Sequence, residues 1–165
     1  MTRRAGSASI EFALVGIPVM MALISIFEIS RAMWTYHSLA HTVRQTTRYI
    51  SVHGHGCAIA PQQCTATVGD IARTARGAAV GLSSGELELT ISATNGAVEC
   101  APLDACLGNG SVWPEFPGNL PGMEVTVSAR YPFQSVLLMI WPGAGSAGGL
   151  RTFSFPASST DTISF

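Results

Sequence analysis

The sequence predicts an α+β protein in which one long N-terminal helix packs on a small antiparallel β-sheet. Three observations carry that expectation. A run of sixteen residues without a charge, Phe12–Phe27, stands near the N-terminus and passes into an amphipathic stretch with helical spacing. Two segments, Leu87–Ala93 and Met123–Tyr131, alternate apolar and polar residues with the two-residue period of half-buried strands. Charge is scarce: 12% of the 165 residues are charged and 47% are hydrophobic, whereas an average globular chain carries roughly 25% charged residues.

This length fits one ordinary domain and argues against two full enzymatic domains. The charge deficit excludes a disordered or nucleic-acid-binding tail and points to a membrane segment. All nine basic residues are arginine, and the formal net charge is −1. Such a chain has no global field to attract polyanions or acidic substrates.

The first element is the helix. Met1-Thr2-Arg3-Arg4 is basic, and the residues from Ala8 to Phe27 number twenty. As a helix they measure about 30 Å, the thickness of a bilayer core. Glu11 is the one charge in that run, at about 2.5–3.5 kcal/mol on insertion scales, so a partner or a role is expected for it. Pro18 removes one helical hydrogen bond and predicts a kink, which membrane helices tolerate. Glu28 and Arg31 are spaced i, i+3 and form a candidate ion pair. Beyond them an apolar stripe runs Ile29, Met33, Tyr36, Ala40, Val43, Thr47 and Ile50, with His37, Arg44 and Arg48 on other faces. The first clear stop is Gly54–Gly56. The expectation is a single helix from about Ser7 to Val52; two helices broken near Pro18 or Arg31 are the alternative.

The remainder reads as a small α+β region. Thr65–Leu82 has Ile71, Ala75, Ala78 and Leu82 at helical spacing, closed by Gly85. A strand over Leu87–Ala93 leads to the turn signal Asn95-Gly96 and a short return strand, Val98–Cys100. Met123–Tyr131 is the cleanest strand, and Phe153 and Phe155 begin another. Gly108–Gly122, with three Pro and four Gly, reads as a surface loop. Val136–Trp141 is a second apolar run, too short to span a bilayer; it is either core filler or a membrane-surface or subunit-contact segment.

Four cysteines form two close pairs in the sequence, Cys57/Cys64 and Cys100/Cys106. The absence of C-x-x-C argues against a zinc ribbon or a thioredoxin-like site. Three connectivities are open, and the two local pairings, each closing a short loop, are favoured in an oxidising compartment. That places the C-terminal region outside the cytoplasm and the N-terminus inside, although Arg31, Arg44 and Arg48 on the far flank agree only in part with the positive-inside rule.

Catalytic chemistry finds little support. His53, His55 and Cys57, with His37 and His41 at i, i+4, can be drawn as a metal site, but solvated histidines at a helix end are far commoner. Gly143-Ala-Gly145-Ser-Ala-Gly148 spells a dinucleotide pattern without the strand–helix context it needs. Glu86/Glu88 and Glu99/Asp104 are too few for a convincing carboxylate pair, and no G-x-S-x-G elbow occurs. Asn109-Gly110-Ser111 fits a glycosylation sequon. The expectation is no enzyme, no metal and no cofactor.

The sharper constellation is Gly6-Ser7-Ala8-Ser9-Ile10-Glu11-Phe12 behind a basic leader: a glycine with a glutamate at the fifth residue after it, opening an apolar helix. It resembles the type IV prepilin processing signal. With Ala13-Leu14-Val15 and the Glu28-Ile-Ser-Arg31 that follows the span, it resembles the TadE-like minor pseudopilins of the tight-adherence (Tad/Flp) pilus system. The resemblance is strong over Arg4–Ile50 and weaker over Met123–Phe155. It implies a pilin-like fold and cleavage between Gly6 and Ser7 by a prepilin peptidase, leaving a new amine at Ser7 to neutralise Glu11 on the same chain or a neighbour. It also implies a leader over 1–6, a membrane and assembly helix over 7–28, and an exported domain over 29–165. The implied partners are other minor pseudopilins, the major pilin, the inner-membrane assembly platform and membrane lipid, with no nucleic acid. The implied location is the bacterial inner membrane, single-pass, at the base or tip of the pilus. A size well above that of the major pilins argues for a minor component. Three rival readings of the N-terminus remain: a secretory signal cut after Ser30-Arg31-Ala32, a twin-arginine signal at Arg3-Arg4, and an uncleaved anchor for a periplasmic binding domain.

Overall fold

The structure, a computed structural model, describes residues 5–54, 66–136 and 152–164. The leader residues 1–4, His55, Cys57, Cys64, the apolar run from 137 to 141 and the glycine-rich 143–148 lie outside the described residues. The chain divides into two compact units, Met1–Trp34 with Gln134–Thr152, and Thr35–Phe133 with Phe153–Phe165. Helix α1 is Ala5–Ser51, 47 residues with Pro18 inside it. The helix continues through Pro18 and through Arg31, so the two-helix alternative is not realised.

The second unit holds the core. Strand β1 (Glu88–Ala93) pairs antiparallel with β2 (Gly96–Cys100) on one side and with β3 (Glu124–Gln134) on the other. Strand β4 (Thr152–Thr162) completes a four-stranded sheet of order β2-β1-β3-β4. The alternation in the sequence sets the faces: Leu89, Ile91, Val125, Val127 and Ala129 are buried, and the residues between them point the other way. The end of β4 closes onto the start of β3. Ile163, only 2% exposed, donates its N–H to Met123 O at 2.9 Å and accepts the N–H of Gly122 at 2.8 Å. The next residue, Ser164, donates to Ser51 O at 2.8 Å. An aromatic cluster of Phe133, Phe153 and Phe155, with centroids 5.1–5.4 Å apart, fills the opposite end of the β3/β4 pair.

The face of α1 that meets this core differs from the expected stripe. From Thr35 onward the buried positions are Thr35, Leu39, Thr42, Val43, Thr46, Thr47, Ile50 and Ser51, whereas Ile29, Met33 and Tyr36 are exposed. The threonines are buried because their hydroxyls fold back on the helix. Thr42 donates to Ser38 O at 2.9 Å, Thr46 to Thr42 O at 2.8 Å and Thr47 to Val43 O at 2.8 Å. Each side chain then offers its methyl to the core with no orphaned donor.

Helix α2 is Val68–Ala78, shorter than the Ala-rich pattern suggested. It stops before Gly81, whose φ of 78° breaks the chain direction. Thr67 and Asp70 make a reciprocal capping box at its start: the Asp70 N–H reaches Thr67 Oγ1 at 3.1 Å, and the Thr67 N–H reaches Asp70 Oδ2 at 3.2 Å. The loop expected on the surface supplies the other caps. Val68 N–H donates to Ser111 O at 2.9 Å and Gly69 N–H to Asn109 O at 2.8 Å. That approach requires glycine, since a Cβ on residue 69 would stand 2.8 Å from Asn109 O and 3.0 Å from Leu107 O. Trp113, 5% exposed, joins the core from the same loop. Gly108–Gly122 is thus partly interior, because capping α2 holds its backbone against the helix.

One smaller correction concerns the hairpin. The β1–β2 tip is Thr94-Asn95, with Ala93 paired to Gly96, one residue earlier than the Asn-Gly signal implied. After β2 a short 3-10 turn, Leu103–Cys106, follows, and a disulfide joins Cys100 to Cys106 with their Cα atoms 5.6 Å apart.

Candidate functional site

The feature that sets the first unit apart is exposed apolar surface on α1. Phe12 is 79% exposed, Leu14 72% and Phe27 75%, and Ile10, Val15, Ile17, Met20 and Ile26 are each more than half exposed. In water each such side chain forgoes roughly 1.5–3 kcal/mol of burial, and contiguous apolar surface of this extent marks a partner or a membrane. The helix is long and apolar enough to cross a bilayer, consistent with a single-pass membrane anchor. The Phe12 ring lies over Gly16, 3.8 Å from where a Cβ would stand. Together with Ala13, Ile17, Met20, Met21 and Ile24 they line a shallow apolar hollow along the helix. Gly6 and Ser7 belong to the first turns of α1, and Glu11 follows in the next turn, on the exposed surface.

At the other end of the apolar run the helix carries a cluster of polar contacts. Arg31 Nη2 lies 3.3 Å from Glu28 Oε1 and Oε2. Glu28 is buried; its Oε2 also accepts the Ser135 hydroxyl at 2.9 Å and the Val136 N–H at 3.1 Å. Arg31 in turn donates to the carbonyl of Gln134. Carboxylate and guanidinium therefore grip three consecutive residues, 134–136, at the exit of β3. Sequence spacing shows only the i, i+3 pair; Ser135 and Val136 are more than a hundred residues away, and no local signal marks them as partners.

The other candidate residues are dispersed. His53 stacks on Tyr49 with centroids 4.1 Å apart, and its Nδ1 lies 2.7 Å from Tyr49 O. His37 and His41 are on the exposed side of α1. Glu86 accepts from the Tyr131 hydroxyl at 3.2 Å, and Asp104 from Ser84 at 3.1 Å. Asn109 Oδ1 accepts the N–H of Ser111 at 2.9 Å within its own turn. Among the described residues no three His, Cys, Asp or Glu side chains converge on one point. At the start of α2, the Thr67 hydroxyl, 2.6 Å from Asp70 Oδ2, and the Arg73 guanidinium, 2.6 Å from Oδ1, hold the Asp70 carboxyl below its ordinary range, against a smaller opposing effect of burial.

Comparison with known proteins adds one positive finding. No curated protein and no solved structure matches the chain. The family model for TadE-like proteins matches residues 6–48, which begin at Gly6 and take in Glu11, the apolar run, Glu28 and Arg31. That segment is most of helix α1, and over it the chain is similar to TadE-like proteins.

Proposed function

We propose that this chain is a minor, pilin-like structural subunit of a tight-adherence pilus, matured by a prepilin peptidase that cuts between Gly6 and Ser7. The observation that carries the reading is the position of Glu11. It is the only charge between Gly6 and Phe27, it stands five residues after that glycine, and it lies inside the TadE-like segment. A carboxylate at membrane depth is costly unless neutralised. Cleavage after Gly6 creates an α-amine at Ser7, one helical turn before Glu11 and on the same face. On the same chain or on a neighbouring subunit, that amine supplies the counter-charge and sets axial register. The TadE-like segment supports a structural role in a pilus system, and the apolar helix supports anchorage in the inner membrane with residues 29–165 exported. Work is done by helix–helix contacts with other pseudopilins, the major pilin and the assembly platform, and no catalytic step is assigned to this chain.

N-terminal sequencing of the protein recovered from membranes tests this, with and without Gly6→Ala. The expected first residue is Ser7, lost in the variant. Met33 as the first residue means a secretory signal instead, and an intact Met1 means an uncleaved anchor. Deleting the gene should abolish piliation; normal pili would count against the assembly role.

A further inference from the structure

Between Glu28 and Asp70 the chain has no acidic residue, yet it carries Arg31, Arg44, Arg48 and all four histidines. On α1, His37, His41, Arg44 and Arg48 follow one another at steps of four, three and four. At 100° per residue they fall opposite the buried positions Leu39, Val43, Thr46 and Ile50. All four are exposed, and neither arginine belongs to an ion pair among the described residues. The outward face of α1 in the second unit is therefore a cationic stripe about 17 Å long.

The same unit carries its complement. On the outer face of the sheet, Glu88 stands opposite Arg130 across the β1–β3 pair, and Glu99 stands opposite Thr90 across β1–β2. Glu124 opens β3 on that face. All three carboxylates are exposed and share the face with one guanidinium and a field of hydroxyls, including the linked Thr126 and Thr160 at 2.8 Å. Four strands at about 4.8 Å spacing and a six-residue β1 of about 20 Å offer a flat area that one helix covers lengthwise.

We infer that the His37–Arg48 face of α1 docks on the outer sheet face of a second copy of this chain. The two faces differ, so the contact is head-to-tail: each copy keeps one face free and the array continues instead of closing as a dimer. One helix stripe on a sheet is below the area of a standard stable interface. The association is weak in solution and builds up where membrane anchorage concentrates the copies. An anionic lipid surface is the competing occupant. The second copy is favoured because its sheet presents the opposite charge on a surface of matching length.

The test uses the full chain carrying Gly6→Ala, so that failure of the cleavage reading leaves it intact. Donor- and acceptor-labelled copies are reconstituted in phosphatidylcholine vesicles, and energy transfer reports association. R44E/R48E and E99R/E124R are each expected to lower association at least fivefold, with unchanged circular dichroism. Mixing the two variants is expected to restore it, because the unaltered basic helix of one then meets the unaltered acidic sheet of the other. Raising sodium chloride from 50 to 500 mM should weaken the unmodified protein several-fold. The inference is overturned by association indifferent to salt, by loss in the helix variant alone, or by clustering that appears only with phosphatidylglycerol in the vesicle.

Discussion

The carboxylate of Glu28 accepts the backbone N–H of Val136 at 3.1 Å, across 108 positions of sequence. A helix residue at the edge of the apolar run thereby fixes the backbone just where β3 ends. Glu28→Ala removes that acceptor, leaving the partly buried N–H unsatisfied and Arg31 without its carboxylate partner but still bonded to the Gln134 carbonyl, at about 1–2 kcal/mol. Hydrogen exchange at the Val136 amide should accelerate roughly 5- to 30-fold, and Glu28→Gln, which keeps one acceptor oxygen, should fall between. Unchanged protection in Glu28→Ala would remove the clamp from the account.

Two glycines of α2 should respond with opposite sign. Gly69→Ala drives a Cβ to 2.8 Å from a backbone oxygen that cannot swing away, so the loop caps must shift, at about 1–3 kcal/mol. At Gly77, where nothing lies within 4 Å of the added Cβ, alanine should stabilise by a few tenths to about 1 kcal/mol. Thermal melts of the full chain in detergent micelles read both, and equal shifts would contradict the packing described.

Asp70 gives the second unit an acid-sensitive contribution. The Thr67 hydroxyl and Arg73 hold its carboxyl below the ordinary carboxylate range in the folded state, so on acidification the unfolded chain takes up the proton first. The stabilisation is complete above the ordinary value of about 4 and disappears as pH falls through the lower folded value. Comparing urea midpoints from pH 6 to pH 2, Asp70→Asn should lose less stability than the unmodified protein. Parallel curves would mean that Asp70 is not linked to folding.

At Thr46 the methyl matters more than the hydroxyl. The side-chain donor returns to Thr42 O at 2.8 Å, an oxygen on the same helix. Thr46→Val should therefore change stability by under about 0.5 kcal/mol, whereas Thr46→Ser, which loses the buried methyl, should cost about 1 kcal/mol. The reverse order in thermal melts would assign the burial to hydrogen bonding.

The long helix and the inward residues of β1 and β3 were legible because each follows one period over many residues, as Leu89-Ile91 and Val125-Val127-Ala129 do. The expected stripe on α1 held at Val43, Thr47 and Ile50 but ran out to Met33 and Tyr36, because Thr42 and Thr46 read as polar in the pattern, while here they bury methyls and return their hydroxyls to the helix. The β1–β2 tip slipped by one residue, since Asn-Gly marks a turn without fixing which pair opposes across it. The inward role of Trp113 was hidden in a segment whose glycines and prolines read as solvent-facing, and only the caps it provides to α2 explain its position. At the candidate site, the Glu28–Arg31 spacing was visible. Their hold on residues 134–136 was not, because a contact across a hundred residues leaves no periodic trace.

The placement of Ile163 has a bearing on biosynthesis. Among the described residues it enters the core downstream of every other buried one, more than a hundred positions after Ile50. At about 5–20 residues per second, a growing chain exposes Leu39, Val43 and Ile50 for roughly 5–20 s before their last cover emerges. A nascent chain stalled anywhere in β4 carries both an open core and the apolar run of α1, an aggregation-prone combination. Folding of this protein is therefore tied to synthesis of β4 and Ile163, and a holding factor during synthesis has a defined surface to shield: the threonine-and-leucine face of α1.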